Sequence, residues 1–178
     1  MKATGIVRRV DELGRLVIPK EIRRTMRLAE GTPLEIFTDR EGQIILKKYS
    51  PMMELGSFAK QYAESVAQTM NQKVAVSDRD QIIAVAGGGK RELLGKTISR
   101  QLEEMIINRE NSIQAGLDKK TIPLISGDED SYSAQAIYPI CCEGDCIGAV
   151  ILYSRENQTH FSETEYKAAA CAASFLGK

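Results

Sequence analysis

Residues 5–27 read GIVRRVDELGRLVIPKEIRRTMR, and they set cationic side chains between residues that belong in a core. Arg8, Arg9, Arg15, Lys20, Arg23, Arg24 and Arg27 alternate with Ile6, Val7, Val10, Leu16, Val17 and Ile18. A solvated basic tail lacks the apolar half of that pattern, whereas a folded nucleic-acid-binding surface needs both halves. The alternation predicts strands over 4–10 and 15–18, with Asp11-Glu12-Leu13-Gly14 as the turn and Gly14 free to take a positive φ. Pro19 fits the first turn of a helix over 20–28, since its missing N–H costs nothing there. Ile22 and Met26 fall on one face of that helix, with Lys20, Arg23, Arg24 and Arg27 on the rest. Gly31 and Pro33 are its stop signals.

Downstream, 34–39 and 43–49 read as two more strands joined by the hairpin turn Arg40-Glu41-Gly42. The second, QIILKKY, alternates too little for a half-exposed strand, so cover on both faces is expected. Four short strands and one helix make a very small core. Domains of that size need a metal, disulfides or a partner subunit. Residues 1–50 contain neither Cys nor His, which leaves oligomerisation and predicts an obligate dimer. Charge divides at the same place. Residues 1–50 hold 11 Lys/Arg against 7 Asp/Glu, while the remainder holds 13 against 17, although the whole chain sums to zero. A basic binding module joined to an acidic domain follows.

The motifs TGIVRRVDELGR, LVIPKEIRRT and LEIFTDREGQIILKKY together resemble the swapped-hairpin DNA-binding module of the AbrB-type transition-state regulators. That resemblance implies interleaved hairpins from two chains in a small β-barrel. It also implies DNA contacts from Arg8, Arg15, Arg23 and Arg24, with Arg9 and Lys20 (and Lys2) in support.

Ser50-Pro51 marks a boundary, because a residue before proline avoids helix. Residues 52–70 then read as an amphipathic connecting helix with Leu55, Phe58, Ala59, Tyr62, Val66 and Met70 on its apolar face. It packs either on its own domain or on a second subunit. Strands are expected at 74–77, 82–86, 122–125, 134–140 and 146–154, and a helix at 99–107. Glu143-Gly144-Asp145 reads as a hairpin turn, and Ser162-Glu163-Thr164-Glu165 as a capping box opening the last helix, with Phe161 as its staple. This order resembles a GAF domain, mainly through Ile137–Ile140, 147–152 and Phe161-Ser162. The expected fold class is α+β: a swapped-hairpin dimer module over 1–50, a connecting helix over 51–70, and a GAF-like sensor or oligomerisation domain over 56–178.

Several sharper readings fail on spacing. Gly87-Gly88-Gly89-Lys90 and Gly95-Lys96-Thr97 suggest a phosphate loop, but five residues separate Gly89 from Gly95 where the pattern needs four, so a flexible loop is expected. Cys141, Cys142 and Cys146 lack a second ligand pair, with only Cys171 and His160 elsewhere, so no metal is expected. They read instead as reduced, buried core thiols. A lone His160 before a helix is a capping or surface residue, and Gly127-Asp128-Glu129-Asp130 a solvated loop without calcium-ligand spacing. Neither a signal peptide nor an apolar run of membrane-spanning length is present in the sequence.

With the AbrB-type and GAF-like resemblances, these features lead us to expect a cytoplasmic, nucleoid-associated transcription regulator rather than an enzyme, with no catalytic residue and no cofactor. The resemblances imply a role in sporulation or developmental genes. The expected partners are double-stranded DNA, a second copy through the N-terminal module, two further copies through the C-terminal domain, and an unidentified small molecule. The alternatives are an autorepressing antitoxin, a role the swapped-hairpin fold also serves, and a GAF-fold thiol redox sensor or reductase.

Overall fold

In a computed structural model, the described residues are 4–50, 52, 56–115, 121–128, 132–156 and 161–178. They form two compact units, Met1–Tyr49 and Ser50–Lys178.

The first unit contains helix α1 (Lys20–Thr25) and the antiparallel hairpin of β1 (Leu34–Thr38) and β2 (Ile44–Lys48). Pro19 caps α1 from just outside it, and the helix ends before Gly31 because Arg27 turns to φ 50°. The expected strands at 4–10 and 15–18 are absent, since the described residues of this chain offer them no ladder partner. Nor is β2 covered on two faces: none of its residues is buried, and Ile44 is 72% exposed. The apolar pattern is real, but one chain does not bury it.

The second unit is complete in itself. Helix α2 (Gly56–Met70) leads into β3 (Lys73–Asp78), β4 (Ile82–Ala86), α3 (Lys90–Leu93), α4 (Arg100–Ile107), β5 (Ser112–Ala115), β6 (Ala134–Cys142), β7 (Asp145–Ser154) and α5 (Glu163–Leu176). The strands form one antiparallel sheet in the order β4-β3-β7-β6-β5. Central β7 feeds both cores: Val150 and Leu152 lie under α2 and α5, while Ala149, Ile151 and Tyr153 lie under α3 and α4. Burying each of the larger aliphatic side chains contributes about 1.5–3 kcal/mol. Ser99 caps α4 by accepting from Leu102 N–H, and the capping box of Ser162 and Glu165 opens α5.

Four expectations need correcting here. First, α2 buries Ala59, Ala63 and Ala67, not the larger residues; Phe58 is 54% exposed. Alanine lets the helix axis approach the sheet, which displaces the bulky residues to its flank. Second, 122–125 is not a strand. The buried Gln135 side chain accepts from Ile122 N–H (2.9 Å) and donates to Ile122 C=O (2.7 Å), taking the place of a ladder partner. The half-polar segment Ser112–Ala115 pairs with β6 instead.

Third, Cys141 and Cys146 are joined by a disulfide rather than standing as reduced thiols. The two-residue turn at Glu143 (φ 50°) and Gly144 (φ 92°) sets them opposite each other in register. Fourth, the Asp128 side chain is buried, where a solvated loop was expected; it accepts from Tyr132 Oη and pairs with Arg155 at 3.6 Å. Glu129, Asp130 and His160 lie outside the described residues, as do Lys2 and Leu55.

Candidate nucleic-acid interface

The six predicted contact residues occupy three stretches of the first unit, and all are exposed. Arg8 and Arg9 lie on the extended approach to the turn, Arg15 just after it, and Lys20, Arg23 and Arg24 on α1. Spacings of three and four place Lys20, Arg23 and Arg24 on one side of that helix. Among the described residues, Arg15 alone of the six has an acidic partner.

That partner is Asp11, which builds the turn. Its Oδ1 accepts from the N–H groups of Leu13 (3.0 Å) and Arg15 (2.8 Å), and its Oδ2 accepts from Arg15 Nε (2.7 Å). Backbone bonds from Gly14 N–H to Asp11 C=O and from Asp11 N–H to Arg15 C=O close the loop. The Arg15 backbone N–H, then its guanidinium, hold the Asp11 carboxyl below its usual range. Gly14 takes the expected left-handed conformation, φ 73°. Asp11 thus fixes where Arg15 emerges from the turn. Sequence reading placed the turn but missed this role; an Asp followed four residues later by Arg across a glycine turn was the available signal.

Arg8 also lines an apolar groove of about 440 Å³, whose walls include Val7, Leu16, Val17, Ile22, Leu34 and Leu46. Val17 is 73% exposed and Val7 more so, although both carry aliphatic side chains. Exposed charge and exposed apolar surface therefore alternate along this stretch of chain.

In the second unit, no group of three or more His, Cys, Asp or Glu is arranged to hold a metal among the described residues. Two of the three glycines after β4 are closely approached by other parts of the chain. A Cβ on Gly87 would lie 2.4 Å from Gln72 C=O, and one on Gly89 would lie 2.6 Å from Tyr153 Oη. Burial lifts the Tyr153 hydroxyl to about 12, so it stays protonated and donates to Gly88 C=O at 3.0 Å. Helices α2 and α5 meet on the opposite side of the sheet, where Tyr62 stacks on Phe175 with ring centroids 5.1 Å apart. Phe175 and Phe58 remain more than half exposed there. No helix among the described residues is long and apolar enough to cross a membrane.

Similarity to known proteins falls along the same division. Residues 54–178 match the family described as stage V sporulation protein T C-terminal, transcription factor. Residues 7–53 match the family described as antidote-toxin recognition MazE, bacterial antitoxin. Stage V sporulation protein T of Bacillus subtilis is 49% identical over 178 residues, which is 100% of this chain and 98% of that protein. The transition state regulatory protein AbrB of Bacillus subtilis is 66% identical over 53 residues, covering 30% of this chain and 54% of that protein. The GAF domain of an Acinetobacter phosphoenolpyruvate-protein phosphotransferase superposes with a TM-score of 0.57 at 13% identity, covering 74% of this chain and 82% of that one. This last match bears on fold alone.

Proposed function

The chain belongs to the stage V sporulation protein T family, and from that premise we infer that it is a DNA-binding transcriptional regulator of sporulation. Its first unit supplies the DNA-binding surface and the second unit supplies assembly. The observation that carries this reading is the exposed cationic run on one turn and one short helix, in a unit whose apolar groove a single chain leaves open. A second copy laid into the groove would cover Val7, Leu16 and Val17 and give 4–10 and 15–18 the strand partners they lack. It would also double the +4 surface of residues 1–50. Arg8, Arg15, Arg23 and Arg24, supported by Arg9 and Lys20, would then meet phosphates and groove edges. Arg15 reaches DNA by sharing or leaving its contact with Asp11.

The apolar flank of Phe58, Tyr62 and Phe175 fits assembly of two such dimers into a tetramer, which would fix the spacing of the two DNA-binding surfaces. Binding to DNA places the protein in the cytoplasm. The antitoxin alternative leaves the 54–178 match without a role, and no observation favours an enzyme.

A salt titration of binding to duplex DNA tests this, comparing wild type with Arg8→Ala plus Arg24→Ala, oligomeric mass being followed by light scattering. Each phosphate contact contributes about 0.9 to the log–log slope, so a dimer losing four such contacts loses about 3.6. An unchanged slope at unchanged mass removes these arginines from the interface. Absence of any salt-sensitive binding by the wild type makes the first unit an assembly device instead.

A further inference from the structure

Cys141 and Cys146 form the sulfur pair at the end of the β6–β7 hairpin, with Cα atoms 3.9 Å apart. We propose that they are a reversible thiol–disulfide site, oxidised by hydroperoxides and re-reduced by dithiols, which ties the hairpin end to the C-terminus of α5.

The hairpin backbone sets the two cysteines directly opposite each other. Cys141 and Cys146 are register partners across a two-residue turn. Two guanidiniums from other connecting segments grip that turn: Arg79 donates from Nε to Cys146 C=O, and Arg109 donates to Gly144 C=O. Closure within so short and rigid a loop is effectively unimolecular, which favours it over bonds between chains. The two residues also differ in access. Cys141 is exposed, whereas Cys146 is 4% exposed among Ala75, Ile82 and Ala149. The other thiols have no cysteine opposite them: Cys142 pairs in register with Asp145, and Cys171 lies on α5, where Tyr62 Oη donates to it.

The chemistry balances in two steps. The Cys141 thiolate attacks a peroxide oxygen and the O–O bond breaks, leaving Cys141 as a sulfenic acid. The departing alkoxide or hydroxide takes the thiol proton and leaves as alcohol or water. The Cys146 thiolate then attacks the Cys141 sulfur; the S–S bond forms, and the released hydroxide takes the second proton as water. Two thiols have given up two electrons and one hydroperoxide has gained them. A dithiol reverses the change by exchange and is itself oxidised to a disulfide.

The pair also touches the end of the last helix. A Cβ placed on Gly177 would stand 2.3 Å from Cys141 C=O, so the backbones meet at the residue whose N–H closes α5 onto Ala173 C=O. The disulfide therefore anchors the strand end on which the helix end rests.

The test uses the full-length chain, reduced, freed of reductant, and divided between buffer and hydrogen peroxide without oxygen. Alkylation in denaturant and intact mass then count the thiols. Four are expected before peroxide and two after it, with the bond mapping to Cys141–Cys146 and dithiothreitol restoring all four. Cys142→Ser and Cys171→Ser should each still lose two thiols. Cys146→Ser should instead accumulate a dimedone adduct on Cys141. Amide exchange over 173–178 should be several-fold slower in the oxidised chain. Four thiols surviving peroxide, a bond to Cys142 or Cys171, or a bond between chains would overturn the site. Equal exchange in the two forms would overturn its tie to α5.

Discussion

Residues 4–49 and 56–178 carry apolar patterns of comparable strength, yet they end in opposite environments. In the first unit α1 buries no side chain, and Val7, Leu13, Val17, Ile36 and Ile44 face outward. In the second, β7 buries eight of its ten residues, on both faces of one sheet. An alternating sequence thus specifies that a surface will be covered, without saying which chain covers it. For the second unit the cover lies in the same chain; for the first, the reading above supplies it from another.

Charged substitutions in the two units break that comparison most sharply. Ile151→Asp should cost more than about 4 kcal/mol and unfold the second unit at any protein concentration, as circular dichroism would show, because it puts an unpaired carboxylate into a closed core. Val17→Asp should leave that unit's melting transition unmoved while abolishing dimers of the first unit and DNA binding with them. A Val17→Asp protein that still dimerises would place the missing cover elsewhere.

Smaller changes refine the contrast inside the self-sufficient unit. Gln135→Ala strips Ile122 of both backbone bonds and should destabilise by about 1–3 kcal/mol in denaturant titration. Ser162→Ala removes the capping box and should cost about 1 kcal/mol. The smallest effect belongs to the open unit. Because hydrogen bonding depresses the Asp11 carboxyl, its support of the turn is complete above the ordinary carboxylate range. That support is lost as pH falls through the lowered value. Chemical shifts of the Leu13 and Arg15 amides should follow a single titration below pH 4, roughly the unperturbed Asp value; in Asp11→Asn they should not move.

The sequence was most legible where one residue type has one structural use. Gly14 in its turn, Ser99 and Ser162 at helix starts, and the run ending in Ser154 all took their expected places. It misled where a side chain replaced backbone pairing, since the apolar run Ile122-Pro123-Leu124-Ile125 does not reveal that Gln135 will occupy the position of a strand. It also misled where size mattered more than hydrophobicity, as on α2. The cationic residues were visible at once, but Asp11 was not, because its work is done through hydrogen bonds to its own turn.

The buried alanines of α2 and α5 carry a consequence for how this protein can change. Ala59, Ala63, Ala67, Ala169, Ala172 and Ala173 are the smallest side chains in the helical layer, and they have the least room to grow. Adding methylenes there costs about 1–3 kcal/mol each through overpacking, whereas Phe58 and Phe175 can be cut back without opening a cavity. In a library of random variants, tolerance along these helices should therefore run against bulk. The plainest residues would be the ones that selection cannot replace, and the conspicuous aromatics would be free to drift wherever assembly does not need them.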